Sequence, residues 1–377
     1  MIHVANEPAE MLSEDKRKEL DRLAQKVLDQ LDGVPHDDLV QRLLASVLRM
    51  STDNRRADLK IAAAALEEME HSFDVLELFC HRRKVSIFGS ARSSTDSDIY
   101  LQAREFSTIM AQRNYMVITG AGPGVMAAGN EGAGRENSFG LGIRLPHETG
   151  SNEHIAGDIK DITFKYFFTR KLAFLKDSHA VVCCPGGFGT HDEGFETLTL
   201  IQTGKAQLMP VVCLAPEGNP FWENWDHYVR DTLLRQGMIS PADLSLYKVT
   251  HSAREAAEEI CHFYRRYHSY RFVDDRLVVR LTSPLTEEEL AHLNSEFLDL
   301  VESGQFDPCE SPHGERFDSS LESMPALTFH LKRGRYGRLR EMIDWLNDCE
   351  LECPDVAPEH GEGGRLPVER DDDLKAS

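Results

Sequence analysis

The sequence lacks any apolar run that could cross a membrane. A transmembrane helix needs about 18 or more consecutive apolar residues, and no stretch of the 377-residue sequence approaches that length. The first residues also lack the apolar core of a secretory signal peptide. We therefore expect a cytoplasmic protein with no membrane partner.

Basic residues are scarce relative to acidic ones. Lys and Arg number 42 against 63 Asp and Glu, which gives a formal net charge of −21. Nucleic-acid binding needs a clustered basic surface that neutralises phosphates, so no nucleic-acid partner is expected. An anionic membrane surface is excluded for the same reason.

The cysteines form neither a disulfide framework nor a recognisable metal site. All eight are scattered, and several lie in apolar, strand-like stretches, which is typical of reduced thiols in a protein core. Cys349 and Cys353, with His360 beyond them, could supply half of a metal site, but no further ligands follow at recognisable spacing. Neither a metal nor a bound cofactor is expected.

Between residues 82 and 270, short apolar runs alternate with amphipathic stretches of helical length. The runs are VSIFGSA, YMVITGAGPG, FGLGIRLP, HAVVCCPGGFGT and LMPVVCLAP. Helices are predicted over residues 98–112 and 124–134 and around 253–267. Strands that alternate with helices form a parallel sheet covered on both faces, and the strands of such a sheet are nearly continuous apolar runs. The sequence therefore predicts an α/β fold with a doubly wound parallel sheet.

Residues 1–81 carry a different pattern. Leucines and valines recur at helical spacing, with a break at Gly33 to Pro35. Asp53 or Asn54 is predicted to cap a third helix. We expect an N-terminal helical region that packs against the neighbouring domain or another subunit and carries no chemistry.

Residues 271–353 predict a small α+β domain, and residues 354–377 predict a disordered acidic tail. Two strands and two helices are expected in β-α-β-α order, at residues 276–281, 286–301, 326–331 and 335–345. The basic and aromatic cluster from Arg265 to Arg271 is predicted to be the solvated end of the preceding helix.

Three of the predicted strands end in glycine-rich turns, at Gly89–Arg92, Gly120–Gly124 and Pro185–Thr190. Ligands of a doubly wound sheet bind at the carboxyl ends of its strands. Glycine lets backbone amides approach a ligand, and the start of the following helix favours negative charge. One such turn ends a strand for steric reasons alone, but three at equivalent positions predict a phosphate site.

The third turn lies in the block TRKLAFLKDSHAVVCCPGGFGTHDEGFE. A helix carrying Arg170 and Lys171 leads into a buried strand, the turn and a second helix. Asp192 and Glu196 are interpreted as acidic partners of the second helix dipole. Glu193 would lie one turn in from the amides of the glycine turn, where a purely structural carboxylate would repel a phosphate. We therefore predict that Glu193 faces the sugar of a nucleotide or a water molecule.

This block resembles the LOG (Lonely Guy) family, formerly labelled lysine decarboxylase-like, through the motif P-G-G-x-G-T-x-x-E at residues 185–193. The Arg-Lys pair upstream also matches. Supporting matches are SIFGS at 86–90 and GAGPGVM at 120–126, followed by Asn130, and RLPHETGSNEHI looks like the corresponding stretch of the longer bacterial members. The resemblance covers about residues 82–270, half of the chain.

The resemblance implies a dimeric enzyme with a Rossmann-like fold, and we expect a homodimer or a higher homo-oligomer. Its reaction would be hydrolysis of the N-glycosidic bond of a nucleoside 5′-monophosphate, which is AMP or a related purine, pyrimidine or cytokinin nucleotide, to free base and ribose 5-phosphate. By matching positions, Arg170 and Glu193 become the catalytic pair. The other matched positions are implied to bind the phosphate or nucleotide: Gly89, Ser90, Gly120, Gly122, Gly124, Met126, Lys171, Gly186, Gly187, Phe188, Gly189 and Thr190.

This sequence departs from the short plant-like form in three ways. Asp192-Glu193 replaces the usual Glu-Glu pair, the second turn is GAGPG rather than a triple glycine, and domains are added at both ends. The aromatic residues Tyr166, Phe167 and Phe168 are predicted to pack in the core or in a dimer interface. Base specificity is not assigned, because contacts to the base are expected from segments outside the motif.

The residues alone leave several points open. The acid that protonates the leaving base is not assigned among His147, Glu148 and His191. A non-catalytic nucleotide-binding regulator would use the same turns and direct Glu193 into a salt bridge. An NADP-dependent oxidoreductase would place Arg144 against a 2′-phosphate. The decarboxylase label gains no support, because no lysine is identifiable as a Schiff-base residue.

Overall fold

The computed structural model describes residues 12–31, 33–52, 56–145, 150–310 and 324–349. The chain forms two compact units, Met1–Glu70 and His71–Ser377. No helix in the described ranges is long and apolar enough to cross a membrane.

Helices make up the described N-terminal segment, as the spacing predicts. They are α1 (Glu14–Leu28), α2 (Asp37–Met50) and α3 (Arg56–Glu77), and α3 begins in the first unit and ends in the second. The side chain of Ser13 caps α1 by accepting a hydrogen bond from the Lys16 N–H. The predicted caps Asp53 and Asn54 lie outside the described residues.

The second unit contains the predicted parallel sheet, which confirms the α/β fold class. Its strands run β4-β3-β2-β1-β5-β6-β7 across the sheet, and every neighbouring pair is parallel. The strands are β1 (Lys84–Phe88), β2 (Met116–Thr119), β3 (Ser138–Ile143), β4 (Asp161–Phe164), β5 (Ala180–Cys183), β6 (Val211–Leu214) and β7 (Lys248–Thr250). Strands β4 and β7 were not predicted. Both are short edge strands with partly exposed residues, so neither forms a continuous apolar run.

Helices cover both faces of this sheet and bury a separate hydrophobic core on each. They are α4 (Asp98–Gln112), α5 (Val125–Ala133), α6 (Phe167–Lys176), α7 (Phe188–Gln202), α8 (Phe221–Tyr228) and α9 (Ala253–Phe263). On β5, Val181 and Cys183 face the core beneath α6, α7 and α8, while Ala180 and Val182 face the core beneath α4, α5 and α9. Successive side chains of a β-strand point to opposite faces of the sheet, which produces this division.

A second, antiparallel sheet follows, with strand order β10-β11-β9-β8. It consists of β8 (Tyr267–Val273), β9 (Arg276–Leu281), β10 (Asp307–Glu310) and β11 (Pro325–Phe329), accompanied by α10 (Glu287–Glu296) and α11 (Tyr336–Asp348). The small C-terminal sheet therefore has two more strands than the sequence predicts, and it lies in the same compact unit as the parallel sheet. Residues 354–377, the predicted tail, lie outside the described residues.

The cluster from Arg265 to Arg271 is not a solvated helix end, and that prediction is wrong. Tyr267 and Tyr270 are buried in β8. Arg266 is buried as well, and its guanidinium donates to both carboxylate oxygens of Glu289 at 2.6 and 2.8 Å. Local composition predicts exposed charges here because it does not reveal a partner 23 residues away in the chain.

Candidate functional site

Strands β2, β3 and β4 follow one another on one side of β1, and β5, β6 and β7 follow one another on its other side, so the strand order reverses at β1. In a doubly wound sheet a crevice opens at this point, outside the carboxyl ends of the strands. A cleft of about 970 Å³, open to solvent, lies here. Its lining comes from the three glycine-rich turns and from the starts of α5, α6 and α7: Phe88, Gly89, Ser90, Ala91, Arg92, Gly120, Met126, Phe167, Arg170, Gly186, Gly187, Phe188, Gly189, Thr190, His191, Asp192 and Glu193.

Backbone hydrogen bonds through Ser90 join the three turns. The Ser90 N–H donates to the Pro185 carbonyl at 3.1 Å, and the Ser90 carbonyl accepts from the Val125 N–H at 3.0 Å. Gly124 has a φ of 67°, and a Cβ there would lie 2.3 Å from the Ser90 carbonyl oxygen. A Cβ at Gly89 would lie 2.6 Å from Val125. Glycine at these two positions is therefore required by the contact between the turns themselves.

The second turn is held by a side chain that the sequence pattern does not single out, Asn152. Its amide nitrogen donates to the Ala121 carbonyl at 3.0 Å, the Gly122 carbonyl at 3.1 Å and Asn130 Oδ1 at 3.0 Å. Ala121 has a φ of 60°, a region that costs a non-glycine residue roughly 1–2 kcal/mol, and these hydrogen bonds stabilise it. Residue spacing gives no signal for Asn152; only the resemblance marks the stretch that contains it.

Arg170 reaches the cleft from α6. Its Nε donates to the Leu141 carbonyl at 2.9 Å, and its guanidinium lies 5.2 Å from the centre of the Phe174 ring. A Cβ at Gly120 would lie 2.6 Å from Arg170 Nη2. The glycine at the end of β2 therefore leaves the space in which the guanidinium lies.

The glycines of the third turn differ in what surrounds them. A Cβ at Gly186 would lie 2.1 Å from Thr190 Oγ1, whereas a Cβ at Gly187 or Gly189 would meet nothing within 4 Å. Gly187 is the N-cap of α7, its φ is −88°, and no side chain caps the helix. The start of α7 thus presents backbone N–H groups to the cleft. The space beside Gly187 and Gly189 is available to atoms from outside the chain.

We predict that Gly189→Ala weakens ligand binding without lowering the stability of the protein. Alanine is favoured over glycine in a helix by about 1 kcal/mol, and no protein atom obstructs the new methyl group. The melting temperature should therefore rise or stay unchanged, while the KM for a phosphorylated ligand should rise at least about 10-fold because the methyl group occupies the cleft.

Gly194→Ala is the matched control, since Gly194 also lies in α7 and its Cβ would make an ordinary 3.5 Å contact with Cys183. The control should stabilise the protein without changing KM. Equal KM values for the Gly189→Ala variant and the unmodified protein would contradict the assignment of this space to a ligand.

Glu193 lies in the first turns of α7, and only 6% of its surface is exposed. Its Oε2 has no hydrogen-bond partner among the described residues. Burial raises the pKa of Glu193 to about 7, although the positive charges of Lys171 and Arg170 act in the opposite direction. A carboxyl group that changes its protonation state near neutral pH is suited to proton transfer or to charge stabilisation at a reacting centre.

Lys171 is engaged by two other carboxylates. Its ammonium lies 2.9 Å from Asp192 and forms a short ion pair with Glu196. Partial burial acts to lower the pKa of Lys171, but the hydrogen bonds to Glu196 and Asp192 raise it above its ordinary value. The three side chains together form a charged cluster that acts electrostatically on Glu193.

The cleft therefore brings together most of the residues that the sequence singles out. Gly122, Gly124 and Lys171 do not line it. Arg144 is exposed and does not line it either, and His147 and Glu148 lie outside the described residues. The lining also includes Phe88, for which the sequence predicted no binding role, and Ala91 and Arg92 of the first glycine-rich turn.

No metal site is evident in the described part of the chain, where no group of three or more His, Cys, Asp or Glu side chains is placed to hold an ion. Cys183, Cys184 and Cys213 are buried free thiols, and burial raises the pKa of Cys184 to about 12. Cys353, the second cysteine of the possible metal-ligand pair, lies outside the described residues.

Known proteins resemble this chain in sequence and in structure. The family model described as "Possible lysine decarboxylase" matches residues 124–260. Among solved structures, TM1055 is 22% identical, with 47% of this chain and 96% of that chain covered and a TM-score of 0.34. Two further structures are each 19% identical, with 47% of this chain and 94% of the other chain covered and TM-scores of 0.33. They are the molybdenum cofactor carrier protein of Chlamydomonas reinhardtii and the molybdenum cofactor binding protein of the phototrophic bacterium Rippkaea orientalis. A search of curated proteins found no match.

The matched stretch includes the second glycine turn's last residue, the Arg170-Lys171 pair and the whole P-G-G-x-G-T-x-x-E motif. Residues 124–260 are therefore similar to the family whose model is described as "Possible lysine decarboxylase", the former label of the LOG family that the motif resembles.

Proposed function

We propose that this chain is a cytoplasmic enzyme that hydrolyses the N-glycosidic bond of a nucleoside 5′-monophosphate, releasing the free base and ribose 5-phosphate. One observation carries the proposal: the buried carboxyl group of Glu193 has an unpartnered oxygen and lines the same cleft as the uncapped start of α7. An anion-binding helix start beside a carboxyl group of raised pKa matches a substrate with a phosphate at one end and a reacting sugar next to it.

The phosphate is assigned to the start of α7. Backbone N–H groups at residues 187–189 supply donors, the helix dipole favours negative charge there, and the space beside Gly187 and Gly189 accepts the phosphate oxygens. Thr190 lines the same cleft. These contacts are remote from the bond that breaks, so their binding energy serves to position the sugar.

Glu193 is assigned to the ribose and the attacking water. Breaking the N-glycosidic bond develops positive charge on the ribose in an oxocarbenium-like transition state. As a carboxylate, Glu193 would stabilise that charge and orient the water that adds to C1′ as the base leaves. Its neighbours Asp192 and Glu196 are both paired with Lys171, which leaves Glu193 as the acidic side chain of this turn assigned to the substrate.

Arg170 is assigned to the phosphate or to the ribose geometry. The hydrogen bond to the Leu141 carbonyl and the contact with the Phe174 ring fix the plane of the guanidinium. A planar, permanently charged group can bind a phosphate or carboxylate through two parallel hydrogen bonds, which a lysine cannot do.

His191 is the one candidate for the leaving-group acid within the described residues. Its ring lines the cleft, and Nδ1 lies 3.0 Å from the Gly187 carbonyl. A neutral ring that donates from Nδ1 has no proton on Nε2. His191 could therefore protonate the departing base through Nε2 only in its charged form.

The proposed assembly is a homodimer. Phe167 and Phe168 at the start of α6 are 53% and 55% exposed, and Phe188 at the start of α7 is 97% exposed. This exposure excludes the core as the location of the first two. Large exposed aromatic side chains are typical of protein interfaces, and those of Phe167 and Phe188 lie at the cleft itself.

The cleft does not fit the older decarboxylase label. A pyridoxal-phosphate enzyme needs a lysine that forms a Schiff base, and no lysine lines the described cleft. Lys171, the nearest candidate, has a raised pKa and two carboxylate partners. Both features oppose the neutral amine that such chemistry requires.

A regulatory role and an oxidoreductase role both receive less support. A non-catalytic regulator would place Glu193 in a structural salt bridge, but no ion pair joins Glu193 to another described residue. An NADP-dependent oxidoreductase would bring Arg144 to the nucleotide, but Arg144 does not line the cleft.

The test is to incubate the purified protein with a panel of nucleoside 5′-monophosphates between pH 5 and 9 and to measure free base and ribose 5-phosphate. We expect both products in equal amounts. Because the ionised form of Glu193 is the active one, kcat/KM should rise as the pH passes through about 7. Absence of both products from every nucleotide would overturn the proposed reaction, and a rate that falls through the same pH range would overturn the role of Glu193 as a carboxylate.

A further inference from the structure

Arg92 lines the cleft with a charge that the protein itself does not use. It ends the first glycine-rich turn and is exposed. Its backbone N–H donates to Ser90 Oγ at 3.1 Å, which fixes the start of the side chain. Within the described ranges, no hydrogen bond or ion pair engages its guanidinium. All five N–H donors of that group are therefore available to a ligand.

The two cationic side chains that act on Glu193 are held by protein groups. Lys171 pairs with two other carboxylates and does not line the cleft. Arg170 donates Nε to the Leu141 carbonyl, and its positive charge acts on the Glu193 carboxyl group. Arg170 is thereby associated with the carboxyl group that is assigned to the ribose. Arg92 is the arginine of the lining that has no such protein contact.

A hydrogen bond places the first turn directly against the third. The Ser90 N–H donates to the Pro185 carbonyl at 3.1 Å. Arg92 is two residues beyond Ser90, and Gly187, the N-cap of α7, is two residues beyond Pro185. Both residues line the same cleft. The guanidinium therefore belongs to the turn that adjoins the proposed phosphate site.

We propose that Arg92 is a phosphate-binding residue of this cleft, which complements the backbone N–H groups at the start of α7. The inference rests on the proposed function, because it adds a second binding group to the phosphate assigned there. A phosphate monoester carries nearly two negative charges at neutral pH, and an ionised Glu193 in the same cleft would repel it. A guanidinium offsets that repulsion and can bind two phosphate oxygens through parallel hydrogen bonds.

The experiment measures the dissociation constants of AMP and ribose 5-phosphate by calorimetry in the full-length protein, with Glu193→Gln present so that AMP is not hydrolysed. Arg92→Gln should raise both constants by about 10- to 100-fold, the loss expected for a hydrogen bond to a charged group. Arg92→Lys should give intermediate constants, because lysine keeps the charge without the paired hydrogen bonds.

Arg144→Gln is the matched control, since Arg144 is also exposed but does not line the cleft. It removes the same charge and should leave both constants unchanged. Equal constants for Arg92→Gln and Arg144→Gln would overturn the proposal, and so would a loss confined to AMP, which would place Arg92 against the base. Failure of both ligands to bind in the presence of Arg92 would overturn the phosphate site together with this inference. If binding depends on Arg92 but the unmodified protein releases no base, only the proposed hydrolysis is wrong.

Discussion

Glu193→Gln is expected to reduce kcat by about 100- to 10,000-fold, the usual range when a positioned acid or base is removed. Glutamine keeps the size of the side chain but cannot carry the negative charge that the transition state needs. Nucleotide binding should change little, because the phosphate contacts are assigned to the start of α7. Steady-state release of ribose 5-phosphate and calorimetric titration of the nucleotide measure the two effects separately.

The same substitution should stabilise the protein at alkaline pH. The pKa of Glu193 is about 7 in the folded chain, compared with an ordinary value of 4.5. The folded state therefore holds this proton more tightly than the unfolded state, and the free energy of unfolding falls as the pH rises from 4.5 through 7. Removing the ionisable group should recover about 2–3 kcal/mol at pH 8 and almost nothing at pH 4.

Glu196→Gln is the matched control on the same helix. Glu196 pairs with Lys171, and Asp192 would still neutralise that lysine after the substitution. This variant should keep most of its turnover. If Glu193→Gln and Glu196→Gln have equal kcat, or if Glu193→Gln lowers stability at pH 8, Glu193 is a structural residue and not the catalytic carboxylate.

Removing the 5′-phosphate from the substrate should lower kcat/KM by a factor similar to the loss of kcat in Glu193→Gln. We expect kcat/KM for the unphosphorylated nucleoside to be at least about 1000-fold lower than for its 5′-monophosphate. Hydrogen bonds to a charged group contribute about 1.5–3 kcal/mol each, so the loss of two of them at the start of α7 reaches this factor. The remote phosphate also positions the ribose against Glu193, so part of the loss should appear in kcat.

A nucleoside 3′-monophosphate provides the control for charge alone. It carries the phosphate on the 3′ oxygen of the ribose instead of the 5′ oxygen, and its kcat/KM should be no higher than that of the nucleoside. In Gly189→Ala the advantage of the 5′-monophosphate over the nucleoside should shrink, because the methyl group occupies the proposed phosphate space. Equal kcat/KM for the nucleoside and the 5′-monophosphate would show that the third turn does not bind phosphate during catalysis.

The main parallel sheet could be predicted from the sequence because its central strands are buried on both faces. β1, β2 and β5 are buried at every position and mostly apolar, and α4 has the predicted bounds. The edge strands β4 and β7 were missed because half-exposed short strands lack that pattern. β8 was missed because its first residues were interpreted with Arg266 as a solvated helix end. The burial of Arg266 depends on its ion pair with Glu289 of α10, which the local sequence does not show.

The sequence by itself determined the class of the fold and the residue types of the cleft, because glycine turns after buried strands leave few other arrangements of the backbone. Only the tertiary structure decided which of these residues share one space. It places Arg170, from α6, against Gly120 at the end of β2, and it pairs Lys171 with Asp192 and Glu196 while Glu193 is buried with an unpartnered oxygen. Burial and pairing depend on contacts between segments distant in the chain, and the local pattern of residues does not contain them.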